Sequence, residues 1–434
     1  MQKSVTLSSM RPSPSNPYRP RLIDAELAEH LQAFGGVLIE GAKWCGKTWT
    51  GRHHATSETL IDDPDVRTRA NLTPKAVLAG SRPRLVDEWQ EVPKLWDVAR
   101  RLIDDAPTRG QFIFTGSATP PLDATSHSGT GRFARLRMRP MSLFESGHAT
   151  GQVSLAHLLA GGRIDEPVSS ELTYPEAIRL ICRGGWPVSL NDPDALALRV
   201  PRQLVSAIAE SDISRLDGVA RDPLKVRSLL YSLARNTATL TSIPTIHDDI
   251  VGQVGPDENL SLSSVRNYLK ALTRIFVVED LPSWRYQIRA KSQMLASPKR
   301  HLVDPSLAVA ALDVRPAALE KDPKTTGFLF ESLCVRDLRI YAQANDGNVF
   351  HYHDNKGLEA DAIVTAPDGT WGAIEVKLDW NRADEAARSL LRLKAKLADK
   401  IADPAFLMIL TATGGVAHTR DDGVHHVQLD CLGP

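Results

Sequence analysis

The chain of 434 residues carries no net charge, because 52 Lys and Arg balance 52 Asp and Glu. A global field that would draw in nucleic acid or an anionic membrane is therefore absent, and any nucleic-acid contact has to come from a local patch. Cysteine is scarce. Cys45, Cys182, Cys334 and Cys431 stand far apart with no CxxC pair, which argues against a disulfide framework or a zinc site and fits a reducing cytoplasm. Long apolar runs are missing too. None approaches the roughly 20 residues of a membrane span, and the first residues lack the apolar core of a signal peptide. A cytoplasmic protein with no membrane association is expected. What is present, 42% hydrophobic and 24% charged residues, suffices for two or three domains with proper cores.

The most informative stretch is Gly41-Ala42-Lys43-Trp44-Cys45-Gly46-Lys47-Thr48, which satisfies the phosphate-loop pattern GxxxxGK[ST]. It follows Gly36-Val37-Leu38-Ile39-Glu40, a short branched apolar run that reads as a buried strand, and a helix can open after Gly46. In that context the loop N–H groups point at phosphate oxygens, aided by the helix N-terminus. Lys47 reaches the β- and γ-phosphates, and the Thr48 hydroxyl is a ligand of nucleotide-bound Mg²⁺. Cys45 reads either as a small residue filling the loop or as a thiol made acidic by Lys47 and the helix end.

Around this loop the chain alternates between strand and helix, the grammar of a parallel sheet. Residues 1–20 are rich in Ser and Pro and read as a loosely ordered tail. Asp24 is the expected N-cap of a helix carrying Leu27, Leu31 and Phe34. Strands are expected at Thr59-Leu60-Ile61, at Arg84-Leu85-Val86 and at Phe112-Ile113-Phe114. The second ends in Asp87-Glu88, where Asp87 suits the metal and Glu88 the attacking water, the alternative being a solvated acidic turn. Pro83 and Arg84 stand where such strands usually carry two more apolar residues. The third ends in Thr115-Gly116-Ser117, where Ser117 can sense a γ-phosphate. Arg135, Arg137 and Arg139 alternate with apolar residues and share one face of a strand. Arg132 is a candidate for charge on a γ-phosphate, in its own subunit or a neighbour, and a merely solvated basic strand is the alternative.

GAKWCGKT, RLVDEWQEVPKLW, FIFTGSAT and GRFARLRMRPMSLFE together resemble the prokaryotic AAA-type ATPase family that is joined to a poorly characterised C-terminal domain. The matching positions are Asp87, Glu88, Gln90, Gly131, Arg132, Pro140, Ser142 and Glu145. The resemblance implies an ATP-binding core in which an extra strand separates the loop strand from the Asp-Glu strand.

Beyond the core, helical signals dominate: Leu204, Ile208 and Ser211, then Val226, Leu229, Leu230 and Leu233, then a helix opened by Pro244. Val265, Tyr268, Leu269, Leu272 and Phe276 follow helical spacing, with Arg266, Asn267 and Lys270 on other faces. Ile275 to Val278 reads as a strand and Arg285, Arg289 and Lys291 as a basic loop. Three helices, a strand and a basic loop suggest a winged helix-turn-helix able to present Arg and Asn to base edges. A packing module with a solvated face is the alternative.

The last third holds a second constellation. Thr326 to Ala342 reads as an amphipathic helix with Glu331 on its apolar stripe, and a carboxylate there needs a partner. Asp361 stands near the start of a strand, and a turn at Pro367-Asp368-Gly369 leads to Trp371–Lys377, where Glu375 and Lys377 share a face. This D-x13-E-x-K pattern resembles the PD-(D/E)xK nuclease superfamily. The resemblance implies Mg²⁺ held by Asp361, Glu375 and Glu331, with Lys377 polarising the water.

The expected organisation is a tail (1–20), a P-loop ATPase core with a parallel sheet (21–150), a helical and winged-helix-like region (151–300) and a small α/β restriction-endonuclease-like domain (301–434). The expected function is Mg²⁺-dependent ATP binding and hydrolysis controlling a DNA-binding, nuclease-like module. The alternative is an ATP-driven switch or scaffold whose nuclease-like domain binds protein or nucleic acid without cutting it. ATP and Mg²⁺ are the expected cofactors, DNA and protein the candidate partners, and the oligomeric state is open.

Overall fold

The computed structural model describes residues 18–106, 108–118, 129–216, 218–254, 260–285 and 297–434. Most of the expected tail, and Arg289 and Lys291 of the expected basic loop, lie outside them. The chain divides into two compact units, one of residues up to Pro140 with 215–219 and 274–276, the other of 141–214, 220–273 and 277–434. The first division thus falls at Pro140, where the sequence suggested 150, and 151–300 is not set apart from 301–434.

In the first unit, α1 (Ile23–Ala33) leads into β1 (Gly36–Glu40), the phosphate-loop segment and α2 (Lys47–His54). Then come β2 (Ser57–Leu60), α3 (Pro64–Leu72), the short α4 (Pro74–Val77), β3 (Arg84–Asp87), α5 (Lys94–Asp105), β4 (Phe112–Gly116) and β5 (Phe133–Arg137). The sheet order is β2-β3-β4-β1-β5, and every pair is parallel. Strand β4 therefore lies between the loop strand β1 and the Asp87 strand β3, bringing the C-terminal ends of all three to one edge. The residues of β1, β3 and β4 are almost wholly buried, the pattern of a sheet covered on both faces. One face packs on Trp89, Trp96, Phe114 and Phe133, with Trp96 stacked on Phe133 at 4.2 Å.

Two local expectations change. Asp24 is not the N-cap of α1: that position is Leu22, and Asp24 accepts instead from the Arg21 N–H at 2.8 Å and the Tyr18 hydroxyl at 2.8 Å. Tyr18, in the expected tail, also stacks on His53 of α2 at 4.2 Å. The polar Arg84 is tolerated at the start of β3 because its guanidinium donates to the Val77 carbonyl at 3.0 Å and the Ser57 hydroxyl at 2.8 Å, so its charge is turned toward polar groups at the sheet edge.

The second unit begins with β6 (Val153–Ser154), α6 (Leu155–Leu159), β7 (Val168–Ser169), α7 (Tyr174–Arg183), the short α8 (Asp194–Ala197) and α9 (Arg199–Ala207), which runs through a π turn at Ile208–Asp212 into α10 (Ile213–Arg215). Three helices follow, α11 (Pro223–Arg235), α12 (Ile243–Val254) and α13 (Leu262–Arg274). On α13, Val265, Leu269 and Leu272 are buried while Arg266, Asn267 and Lys270 are exposed. The expected strand at Ile275 to Val278 is not formed. Phe276 turns back at φ 62°, and isolated bridges follow, antiparallel from Val278 to Leu302 and from Leu281 to Lys299 and parallel from Ser283 to His351.

Next come α14 (Pro305–Ala311), α15 (Pro316–Leu319), α16 (Pro323–Gln343), β8 (Asn348–His353), β9 (Glu359–Thr365), β10 (Trp371–Lys377), α17 (Ala383–Leu397), β11 (Phe406–Thr411), β12 (Val416–Thr419), β13 (His425–Gln428) and β14 (Leu432–Gly433). The sheet order is β7-β12-β13-β11-β10-β9-β8; β8, β9 and β10 are antiparallel neighbours and β11 joins β10 in parallel after the crossover helix α17. Helix α16 is not amphipathic in the expected sense. Every residue from Leu329 to Ala342 is buried, including Arg336, Asp337 and Arg339, so its polar residues need partners inside the protein.

Those partners are specific. The Arg336 guanidinium donates to Asp304 at 2.8 Å and to Asp337 at 2.8 Å. Asp337 also accepts the Leu143 N–H at 3.0 Å, and the Tyr341 hydroxyl accepts the Phe144 N–H at 3.3 Å. The turn carrying the Ser142 and Glu145 signature, closed by Ser142 N–H on Glu145 at 2.8 Å, is thereby docked on α16. Removing one partner of such a pair strands a buried charge. Asp337→Ala is expected to lose about 3–5 kcal/mol of unfolding free energy, measured by urea denaturation, with Arg336→Met/Asp337→Leu/Asp304→Leu recovering part of it.

Candidate functional sites

The phosphate loop takes its shape from two glycines. Gly46 has φ 111°, a conformation closed to L side chains, and it precedes α2 directly. A Cβ on Gly41 would stand 2.1 Å from the Met138 carbonyl oxygen, so any other residue there would push the loop off β5's continuation. Cys45 is fully buried, with Sγ 3.7 Å from the Met138 carbonyl, so it fills the loop's interior. Trp44 has φ 66° and is 45% exposed. The loop is also clamped by a residue that no motif revealed: buried Arg21 donates to the Cys45 carbonyl at 2.8 Å and to the Arg139 carbonyl at 2.8 Å. Lys47 is 5% exposed and its ammonium caps the Gly41 and Ala42 carbonyls at 2.9 and 2.8 Å.

The three strand ends converge beside this loop. The Thr48 hydroxyl donates to Asp87 Oδ1 at 2.9 Å, and the Thr115 hydroxyl, from the end of β4, donates to the same oxygen. Burial, and then the neighbouring Glu88 charge, push the Asp87 carboxyl up to about 6. Glu88 has φ 53° and ψ 43°, a left-handed conformation for a residue with a side chain, costing about 1 kcal/mol. Its carboxylate is held at both oxygens, by the Ser117 hydroxyl at 3.0 Å and by the Gln90 amide. Lys47, Thr48, Asp87, Glu88 and Ser117 are thus brought together with the loop residues Gly41 to Gly46. The hydroxyl and carboxylate oxygens of Thr48 and Asp87 are hard donors, a set that fits Mg²⁺.

Arg132 is not brought there. Its carbonyl accepts from Gly36 N–H, at the start of β1, and its guanidinium pairs with Asp104 at 2.8 Å. That is the opposite end of a five-residue strand, roughly 16 Å from the loop at strand rise, so it cannot serve a γ-phosphate in its own subunit. Arg135 pairs with Glu40 at 2.8 Å.

A second polar cluster lies in the C-terminal unit. The hairpin register pairs Ala362 with Ile374, which sets Asp361 opposite Glu375. Asp361 Oδ2 accepts the Val376 N–H at 2.9 Å and lies 3.7 Å from the Lys377 ammonium, which donates to Glu375 at 2.6 Å. Glu331 on α16 faces the same point. The sequence reading put a divalent ion on Glu331, Asp361 and Glu375. The structure puts the ammonium of Lys299 between two of them, 2.6 Å from Glu331 Oε1 and 2.9 Å from Asp361 Oδ1. Among the described residues no group of His, Cys, Asp and Glu is arranged to hold a metal ion, and this donor set, already tied to ammonium groups, does not fit one as it stands. Burial pushes Glu331 and Glu375 up to about 8, Asp361's negative charge adding to both. In Asp361 burial is outweighed by Lys299 and Lys377, and its carboxyl is held below the usual range.

Two buried histidines flank Lys299. His301 Nδ1 is 3.1 Å from the Ser332 hydroxyl, and His351 Nε2 donates to the Ser297 carbonyl at 3.1 Å. Burial lowers both, His351 to about 4, with Lys299 contributing; Arg339 acts on His301, and His353 and Asp361 act in opposite senses on His351. Lys299 carries no motif, and its position emerges only from the bridge to Leu281.

Comparison with known proteins agrees with the first site. Residues 34–146 match the family model described as AAA domain; residues 175–318 and 326–432 match two domains of unknown function, DUF8612 and DUF4143. Uncharacterized proteins of Mycobacterium tuberculosis and Mycobacterium bovis are each 26% identical over 362 residues, covering 81% of this chain and 72% of theirs. Among solved structures, the Walker-type ATPase PABY2304 of Pyrococcus abyssi is similar at 13% identity and a TM-score of 0.41, covering 70% of this chain and 99% of that one. The AAA-domain match thus falls almost wholly within the first unit, whose sheet is parallel. No described helix is long and apolar enough to cross a membrane.

The histidines give the fold an acid limb. An unfolded histidine takes up a proton near pH 6.5, but folded His351 does so only near 4. Between those values the unfolded state binds more protons, so stability is present above pH 6.5 and is lost as pH falls toward 4. The unfolding free energy from urea titrations is expected to drop across this window by on the order of 1–3 kcal/mol from His351, and His351→Phe is expected to flatten the slope.

Proposed function

We propose that the protein binds and hydrolyses ATP with Mg²⁺ at the first site. The observation that carries this reading is the meeting of Thr48, Asp87 and Thr115 at one carboxylate oxygen beside the loop, together with the AAA-domain match. The loop N–H groups from Gly41 to Gly46, including Ala42, Lys43, Trp44 and Cys45, cradle the phosphates. Lys47 leaves its loop carbonyls for the β- and γ-phosphate oxygens, an exchange of neutral acceptors for charged ones. Thr48 and Asp87 hold Mg²⁺, which when bound neutralises the phosphate charge that develops on the leaving side. Glu88 orients the attacking water and takes its proton, once Gln90 and Ser117 yield one of its oxygens. Ser117 then faces the γ-phosphate. Arg132 is a candidate only in a neighbouring subunit.

The C-terminal unit is read as the module that this ATPase controls. The order α16-β8-β9-β10-α17-β11, with Asp361 and the Glu375–Lys377 strand at its centre, supports the nuclease-like fold. The exposed Arg266, Asn267 and Lys270 of α13 support a winged-helix-like contact with DNA. Of the cutting and non-cutting readings, the engagement of the acidic cluster by Lys299 and Lys377 favours binding without cutting.

ATP turnover measured by phosphate release is expected to be Mg²⁺-dependent and to fall by about 10²-fold or more in Glu88→Gln and in Lys47→Ala; unchanged turnover in both variants removes the ATPase reading. Labelled DNA incubated with Mg²⁺ or Mn²⁺ is expected to shift and stay intact. Cleavage by the wild type that Lys377→Ala abolishes would establish the cutting reading instead.

A further inference from the structure

We propose that Lys299 is the resident cation of the C-terminal acidic cluster, occupying the position between Glu331 and Asp361 that a divalent ion would otherwise bridge. Its place is fixed by the main chain. Lys299 N–H donates to the Leu281 carbonyl at 3.0 Å and Leu281 N–H returns the bond at 2.9 Å, which aims the side chain at α16 and β9. Its side chain is 7% exposed, and its ammonium donates to both carboxylates. A compact ammonium with several donors can join two carboxylates much as a hard cation does, though with a single charge. Two further oxygens are also engaged: Asp361 Oδ2 by the Val376 N–H, and Glu375 Oε2 by Lys377.

The arrangement is self-consistent only with the lysine present. Without it, Glu331 and Asp361 would face each other as buried carboxyls with only the more distant Lys377 ammonium, 3.7 Å from Asp361 Oδ2, as counter-ion. A hole of oxygen ligands left by a truncated lysine is what a divalent ion takes up. With the lysine in place, an ammonium already stands between Glu331 Oε1 and Asp361 Oδ1, where a bridging metal would sit. The cluster therefore acts as a fixed charge network that holds the segment around Lys299 to α16 and the central hairpin. This rests on the side-chain geometry and on the non-cutting reading of the module; metal binding and DNA cutting are separate readouts, so either can fail alone.

The test is Mn²⁺ binding to the full chain without nucleotide, followed by the electron paramagnetic resonance signal of free Mn²⁺. Wild type and Asp361→Asn are expected to bind equally, with no Asp361-dependent site. Lys299→Ala is expected to gain a bound Mn²⁺ per chain, lost again in Lys299→Ala/Asp361→Asn. A wild-type Mn²⁺ site abolished by Asp361→Asn overturns the proposal, as does a folded Lys299→Ala that gains none. Should Lys299→Ala fail to fold, Lys299→Ser takes its place with the same gain expected, and a folded Lys299→Ser that gains no bound Mn²⁺ overturns the proposal.

Discussion

The hydrogen bonds that converge on Asp87 are the interaction on which the first site depends. Thr48 comes from the loop helix, Thr115 from β4 and Asp87 from β3, and they meet only because β4 is inserted between β1 and β3. Parallel strands bring all their C-terminal ends to one edge, so a single change in strand order would carry the carboxylate away from the loop. The same convergence sets the electrostatics. A carboxyl buried beside Glu88 holds its proton more readily than a free one, and a cation placed at the same point favours its charged form instead.

Glu88 shows how the site restrains itself. Its backbone is left-handed, and both of its oxygens are occupied, by Ser117 and Gln90. In the proposed mechanism Glu88 accepts a proton from water; both its oxygens hold donors, so freeing one is a conformational step rather than a chemical one. Strain of this kind is kept where function needs a group in one orientation. In the C-terminal unit the opposite holds: charges are satisfied by fixed ammonium groups, and the network packs rather than waits.

Much of the first site was legible in the sequence because its signals are local. Gly36–Glu40 is a branched apolar run ended by glycine-rich turns, and Asp87 and Ser117 sit at strand ends that the same apolar pattern marks. What escaped depends on contacts between distant residues. Arg21 clamps the loop from 24 residues away, with no pattern to distinguish it from a solvated arginine. Which end of its strand Arg132 stands at could not be read, because a motif gives no direction along a strand. Lys299 and Asp361 are 62 residues apart, joined by a bridge that alternation does not announce. Helix α16 looked amphipathic because burial of Arg336 and Asp337 is paid for by partners such as Asp304, which no periodicity reveals.

Two sites of unlike character thus share one chain, the first proposed to take a nucleoside triphosphate, the second closed by its own lysines. The most direct measurement is the state of nucleotide retained by Glu88→Gln. Incubated with Mg²⁺ and ATP and then separated from free nucleotide, this variant is expected to hold intact ATP, whereas the wild type holds ADP. Bound ADP formed by Glu88→Gln at the wild-type rate, or no retained nucleotide in either protein, would contradict the account.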